Sequence, residues 1–586
     1  MLVGPVFNRE IITTPRSLRF YLMRAGYVAA LFGLVFTAWL ILFGSRQQSG
    51  LGDLARFGSA IFTVLAPLQL AMAVAFSALL TAAAVAQEKD RRTLDLLLMT
   101  NLSNVELVLG KLLASMMSVI VPAVAAISLL MLITLLGGVS YWQVFRVVAV
   151  TIGAAAVAGS LGSTIALWRE RTFQSLALTA LLLVLWLLGG EILAAGVFGQ
   201  QWSGLSTGHW ASALSPLRAI FAAVRPFASG STVWWQDSVN MFLIVATGST
   251  LLLNLWAIAR VRVWNPTQEA QRPTQDSDAE SATTQPETAQ ATSRRVWDNP
   301  VLWREICTWA YGKKIIIVRL AYLVIFAICS VALVQAIDAS GNNHSYAAGV
   351  AASARPLVPL MVLGLILVNA LAVTSLTNER DLRALDLLLV TDLTPKEIVY
   401  GKLGGILYNS KEMIVLPIVL CVLLWYQDQM TTENLLFLVI TSLVMTGFVA
   451  MLGVHVGMTY AESRTAVGVS LSTVLFLLLG IAVCMRMMVA FQGSFTNQLQ
   501  AFAAFMVGGG AGLYYALGRR NPSRAIALAA GVTPFVTFAV ITNFLQASYG
   551  GAFFMTVATY GFATTALLVP AIAEFDVATG RTTEQN

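Results

Sequence analysis

The stretch QEKDRRTLDLLLMTNLSNVELVLGK, Gln87–Lys111, sets a dense cluster of charges between two long apolar runs. A second stretch, NERDLRALDLLLVTDLTPKEIVYGK, Asn378–Lys402, repeats it at a constant offset of 291 positions without a gap. Glu88, Asp90, Arg92, Leu94, Asp95, Leu96, Leu97, Leu98, Thr100, Leu102, Glu106, Val108, Gly110 and Lys111 all recur. Chance does not keep such a register, so the chain is internally duplicated, and the fold of this segment decides the reading of the rest.

In each copy an apolar run closes on an acidic residue, Glu88 or Glu379. Leu94, Leu97 and Leu98, or Leu385, Leu388 and Leu389, then follow at helical spacing, which predicts a short amphipathic helix. Ser103 with Glu106 forms a capping-box pattern, and Thr394-Pro395-Lys396-Glu397 repeats it with proline at the first helical position. The chain therefore leaves one span, makes a short charged elbow at the membrane edge, and returns through a freshly capped helix. Asp90, Arg92 and Asp95, repeated as Asp381, Arg383 and Asp386, are placed to make salt bridges within the elbow or to face a partner. Gly110-Lys111 and Gly401-Lys402 read as a tight helix contact followed by a lysine that snorkels to the membrane surface.

The wider composition agrees with an all-α polytopic membrane protein. The chain is 57% hydrophobic and only 11% charged, and its mean hydropathy is +0.76. Its opening segment, MLVGPVFNREIITTPRSLRFYLMRAG, is polar and basic and lacks the form of a cleavable signal, so the first span reads as permanent. The net charge of +7 does not point to nucleic acid, because the basic residues gather in particular loops: before the first span, in the elbows and around the centre of the chain. Those loops read as cytoplasmic by the positive-inside rule. Loops free of Lys and Arg, near Gly138–Tyr141, Gly341–Tyr346 and Gln427–Glu433, read as external.

Hydropathy predicts six spans in the first half, near 27–44, 58–86, 108–137, 142–167, 174–198 and 238–259. A polar segment rich in Thr, Gln, Ala and Glu follows, which divides the chain into a half at 1–264, a flexible cytoplasmic linker at 265–298 and a second half at 299–586. The second half restarts in the same direction, since NPVLWREI at Asn299–Ile306 echoes GPVFNREI at Gly4–Ile11. Two further echoes pair Arg171-Thr172 with Arg464-Thr465 and SPLRAI at Ser215–Ile220 with NPSRAI at Asn521–Ile526. Apolar runs at 317–337, 350–376, 403–426, 434–459, 466–488, 499–518, 525–545 and 551–574 bring the expected total to fourteen spans, with twelve as the alternative. The repeat is parallel, which suggests a fused pseudo-dimer rather than the inverted repeats common in secondary transporters.

The pattern E-x-x-x-R-x-L-D-x-L-L-x-T-x-L-[ST]-x-x-E-x-x-x-G-K, present twice, resembles the signature of ABC-2 type ABC transporter permeases. The resemblance covers each half from its basic start through about six spans and weakens after Phe491. It implies the transmembrane subunit of an ATP-driven exporter in the inner (cytoplasmic) membrane, with both termini cytoplasmic. The elbows would be coupling helices that meet a separate ABC ATPase, present as two copies or equivalents. By the same resemblance, Arg9–Arg24 and Arg304–Arg319 would be interfacial connecting helices. ATP and magnesium belong to the partner and no cofactor is expected on this chain: its Gly-Lys pairs, at Gly110, Gly312 and Gly401, lack the surroundings of a phosphate-cradling loop. The coupling residues would be Glu88, Asp90, Arg92, Asp95, Glu379, Asp381, Arg383 and Asp386. Ser103, Glu106, Gly110, Lys111, Thr394, Glu397, Gly401 and Lys402 would start and pack the returning helices.

Nothing in the sequence suggests catalysis or a metal site. Cys307, Cys329, Cys421 and Cys484 and the three histidines are scattered. Glu191, Lys411, Glu412, His455 and Arg486 fall in or near apolar runs without counterparts in the other half, and they read as structural or interfacial. Trp202, Trp210, Trp234 and Trp235, between Gly199 and Gln236, read as an interfacial belt. The rival functions are an ion-coupled transporter, which requires matched intramembrane charges in both halves, and a non-transporting membrane scaffold.

Overall fold

The computed structural model describes residues 18–43, 50–194, 201–202, 205–225, 237–265, 297–307, 315–340, 354–381, 384–490 and 495–578, together with Phe7. The described chain is a bundle of long apolar helices, as a membrane requires of backbone groups that water cannot satisfy. Its only described strands are β1 (Gln201–Trp202) and β2 (Leu205–Ser206), a two-residue antiparallel pair.

In the first half α1 (Leu18–Phe43) precedes α2 (Leu51–Asp90), the elbow helix α3 (Thr93–Met99), α4 (Asn104–Leu135), α5 (Tyr141–Trp168) and α6 (Thr172–Ala194). After the β pair come two short helices, α7 (Thr207–Leu214) and α8 (Pro216–Val224), and then α9 (Ser238–Trp264). The second half runs α10 (Pro300–Cys307), α11 (Ile315–Ser340), α12 (Leu357–Asp381), the elbow helix α13 (Ala384–Leu389), α14 (Pro395–Asn409), α15 (Lys411–Tyr426), α16 (Thr432–Thr459) and α17 (Ser463–Ala490). It ends with α18 (Phe495–Leu517), α19 (Arg524–Leu545) and α20 (Tyr549–Ala578).

Twelve of these helices are each long and apolar enough to cross a membrane, and α14 with α15 supplies a thirteenth as a span bent by 54°. The chain is a multi-pass membrane protein. The run expected at 403–426 is therefore broken, at Asn409–Ser410, where the matching α4 continues through. The fourteenth run, α18, is the least apolar, yet its last turn lies level with the end of α16: the Tyr460 hydroxyl donates to the Ala516 carbonyl at 2.8 Å, and the His455 ring meets the Leu517 carbonyl at 3.2 Å.

Helix packing corrects two of the echoes expected from sequence. Thr172, the first residue of α6, is matched in place by Ser463, the first residue of α17, so the offset of 291 continues unbroken and the Arg464-Thr465 alignment is two residues out. SPLRAI opens α8 near the start of α5, where the Gln143 side chain donates to the Val224 carbonyl at 2.9 Å. NPSRAI leads into the first turn of α19 at the far end of the bundle, with Arg520 over the Tyr460 ring at 4.5 Å. The two segments thus sit at opposite ends and are not equivalent. The last helix of each half does recur, α9 packing on α5 as α20 packs on α16, so the α18–α19 hairpin is what the second half adds.

The tightest crossing is also repeated. A Cβ on Gly162 of α5 would run into the Ala78 carbonyl of α2, and one on Gly453 of α16 would lie 2.6 Å from Ala372 Cβ and 3.0 Å from the Asn369 carbonyl of α12. Only glycine lets these backbones approach so closely. The crossing fixes where α2 and α12 emerge, and hence where the elbows stand.

Candidate functional site

The first elbow begins where a helix far longer than a bilayer runs out. The forty residues of α2 span roughly 60 Å at 1.5 Å per residue, about twice a hydrocarbon core, so its final turn stands clear of the apolar layer. The corner is taken at Arg92, whose φ of 56° puts a non-glycine residue in the left-handed region. Leu94 and Leu98 are buried and Leu97 half-buried beneath α3, as the helical spacing predicts. Ser103 and Thr394 both form complete capping boxes with Glu106 and Glu397, so α4 and α14 start at defined residues. Side-chain capping recurs one helix on, as a complete box at Ser140 of α5 and as a single bond from the Asn434 N–H to Thr431 at α16, positions 291 apart.

Of the two arrangements open to the elbow charges, internal pairing or a face for a partner, the acids mostly take the first. Glu88 pairs with Lys111 of α4, and Asp90 accepts a hydrogen bond from the Thr172 hydroxyl of α6. In the second copy Glu379 pairs with Arg304 and, at 2.7 Å, with Lys402, while Asp381 accepts from the Ser463 hydroxyl at 2.5 Å. The residues after each glutamate, Lys89 and Arg380, donate to carbonyls at the ends of α5 and α16, where helix C-termini attract cations. The paired acids therefore bolt each elbow to neighbouring helices. Arg92 is exposed and Asp95 half-exposed on the outer side; Arg383 and the side chain of Asp386 lie outside the described residues.

The lysines do not snorkel. Lys402 is only 2% exposed and lies 2.6 Å from Glu305 of α10, itself 2% exposed, and Lys111 is half-buried against Glu88. A buried ammonium is tolerable because carboxylates surround it. Gly401 keeps its packing role: a Cβ there would stand 2.8 Å from Val301, so the glycine lets α10 lie against α14. Gly110 is buried in α4. The NPVLWREI echo marked Glu305 as part of the repeat but not its role, since its partner Lys402 lies 97 positions away.

The other charged residues expected to be structural have ordinary partners. Glu191 makes a two-bond pair with Arg218 at 3.0 and 2.6 Å, Glu412 lies 3.5 Å from Arg319, and Lys411 stands 4.4 Å above the Tyr408 ring. Arg486 is exposed, as is usual for arginine at the end of a span. Of the tryptophans, Trp210 is half-buried in α7; Trp234, Trp235 and the side chain of Trp202 lie outside the described residues. Among the described residues no group of three or more His, Cys, Asp or Glu is placed to hold a metal ion.

What remains on the outside of the elbows is apolar. Leu96 is 65% exposed and Met99 57%, and their counterparts Leu387 and Val390 are 73% and 86% exposed. They stand beside polar Thr100, Asn101, Thr391 and Asp392, all exposed. Residues 53–336, from α2 through nearly all of α11, match the model of a protein family described as ABC-2 family transporter protein. Over that region the chain belongs to the ABC-2 family of transporter proteins. It is an ABC transporter permease by that membership, and the first elbow lies inside the matched region. No curated protein matches this ABC-2 permease.

Proposed function

We propose that this ABC-2 permease is the membrane unit of an ATP-driven exporter whose two elbows dock on cytoplasmic ABC ATPase subunits. One observation carries the reading: matched apolar pairs, Leu96 with Met99 and Leu387 with Val390, are held out among polar residues by elbows whose acids Glu88, Asp90, Glu379 and Asp381 are tied to the spans. An apolar patch outside the lipid layer marks a protein contact, and two patches at equivalent positions suit two similar partners. Force applied at such an elbow reaches α2, α4 and α6, or α12, α14 and α17, through ion pairs and buried leucines rather than through flexible loops.

In this reading residues 1–264 and 299–586 are the two halves of one transporter, joined by the polar segment 265–298. The elbow end faces the cytoplasm of the inner membrane, where the basic loops also lie. ATP and magnesium are bound by the partner, whose two copies supply the energy. The acids Glu88, Asp90, Glu379 and Asp381 act as internal fasteners of the coupling device, and the apolar pairs, with Arg92 and Asp95 beside them, form its contact face.

The test is gentle purification of the tagged chain from its native membrane, with and without the double substitution L96E/L387E. The expected result is an ATPase that co-purifies with the natural chain and is lost from the variant, while the variant keeps its yield and thermal stability because both side chains are exposed. An ATPase retained in full by the variant would show that the elbows are not the docking face.

A further inference from the structure

The helices that end or begin at the elbows form a closed ring. α2 packs on α6, α6 on α12, α12 on α17 and α17 on α2, with no charged residue in the middle of any of the four. At the elbow end the C-termini of α2 and α12 meet the N-termini of α6 and α17. Asp90 bonds to Thr172 at the start of α6, and Asp381 bonds to Ser463 at the start of α17, each carboxylate standing at a positive helix end. Arg91 then crosses the ring: its Nη2 lies 3.9 Å from Asp381 Oδ1.

The two aspartates are near enough for their charges to act on each other, and Arg380 is within the fields of both Asp381 and Arg91. Like charges facing across a gap push it open, and a cation between them holds it shut. Arg91 has no twin, because the position 291 residues on is Leu382, so the link across the ring is made from one side, from the residue after Asp90 to Asp381. The pair is weak by its nature, since the Arg91 side chain is 45% exposed. That suits a contact made and broken in every cycle better than a permanent strut.

We infer that Arg91, with Asp90 and Asp381, is the elbow-end gate of the α2, α6, α12 and α17 ring, and that cargo enters the ring from that end when Arg91 releases Asp381. The inference rests on the permease reading for its cargo but on geometry alone for its closure.

The test places a cysteine at Gly468 of α17, on the seam between α17 and α2 where an added Cβ would lie 3.7 Å from Leu80, in the full chain carrying Cys307→Ser. Membrane vesicles are oriented with the elbow end outward, and a membrane-impermeant thiol reagent reports access to position 468. With Arg91 in place labelling is slow. With R91E, which sets three acids against each other, labelling rises about tenfold, as expected when a gate loses its closed-state contact. The charge swap R91D/D381R restores slow labelling, which a merely misfolded R91E variant would not allow. Labelling that is equally fast in every variant, or equally slow with R91E, overturns the gate. Because the readout requires no ATPase, loss of elbow docking on an ATPase leaves this result standing, and the reverse also holds.

Discussion

Lys402 of α14 lies between two carboxylates, 2.6 Å from Glu305 and 2.7 Å from Glu379, at a point where almost no solvent reaches it. Glu305 belongs to α10 and Glu379 to the last turns of α12, so one ammonium ties three helices at the root of the second elbow. Removing it takes from two buried acids the cation that they share and leaves Arg304 to offset their charge. Lys402→Met is expected to lower stability by about 3–5 kcal/mol. Lys111→Met, in the half-buried pair of the first elbow, costs about 1 kcal/mol. Thermal unfolding of the detergent-solubilised variants measures the difference; equal losses would mean that burial does not set the strength of these pairs.

The glycine crossings make a sharper steric prediction. Gly162→Ala and Gly453→Ala each force a methyl into backbone already in contact, at an expected cost of about 1–3 kcal/mol per site. Gly248, on the exposed side of α9, has nothing within 4 Å of an added Cβ. There alanine should be neutral or stabilise by about 0.5–1 kcal/mol, because it restricts the unfolded chain and favours helix. If Gly248→Ala were as harmful as Gly162→Ala, the close approach of α2 and α5 would not be the reason for the glycine.

Capping decides how firmly the elbows are closed. Ser103→Ala and Thr394→Ala each remove one side of a capping box and are expected to weaken the start of α4 or α14 by about 1 kcal/mol. The consequence is local fraying, read as faster tryptic cleavage at Arg91 and Arg92 in the first elbow. Ser103→Asp, which still caps, should keep the slow cleavage of the natural chain. Cleavage unchanged by Ser103→Ala would place the closure of the elbow in its buried leucines alone.

The two halves hold their last spans by different chemistry. Arg146 of α5 reaches Asp237, the cap of α9, at 2.6 Å, whereas Phe437, 291 positions after Arg146, stacks on Phe553 of α20 with ring centroids 4.5 Å apart. Arg146→Ala strands a mostly buried carboxylate and should cost about 3 kcal/mol. Phe437→Ala loses an aromatic contact worth about 1–1.5 kcal/mol. Raising the salt concentration should leave both values nearly unchanged, since neither contact is fully exposed to counterions; a strong salt dependence of the Arg146 effect would place that pair in open solvent.

The elbow itself was legible in sequence because its determinants are local. Helical spacing of Leu94, Leu97 and Leu98, the capping patterns at Ser103 and Thr394, and a long apolar run on each side are all set by neighbours within a few residues. The apolar runs likewise determined that the chain crosses a membrane many times, since a bilayer accepts little else than helices.

Direction was not local. Glu88, Asp90, Glu379 and Asp381 look like surface charges in a linear reading, yet each is turned onto a neighbouring helix brought beside it by the Gly162 and Gly453 crossings. Whether a lysine after a glycine reaches for lipid headgroups or for a buried Glu305 depends on a helix 97 positions away. The chain alone determined which residues would be helical, apolar or charged, because those are properties of single residues and their near neighbours. Only the tertiary structure decided which charges became fasteners, which apolar side chains were left outside, and that Arg91 would meet Asp381, because electrostatic partners are chosen by distance in space.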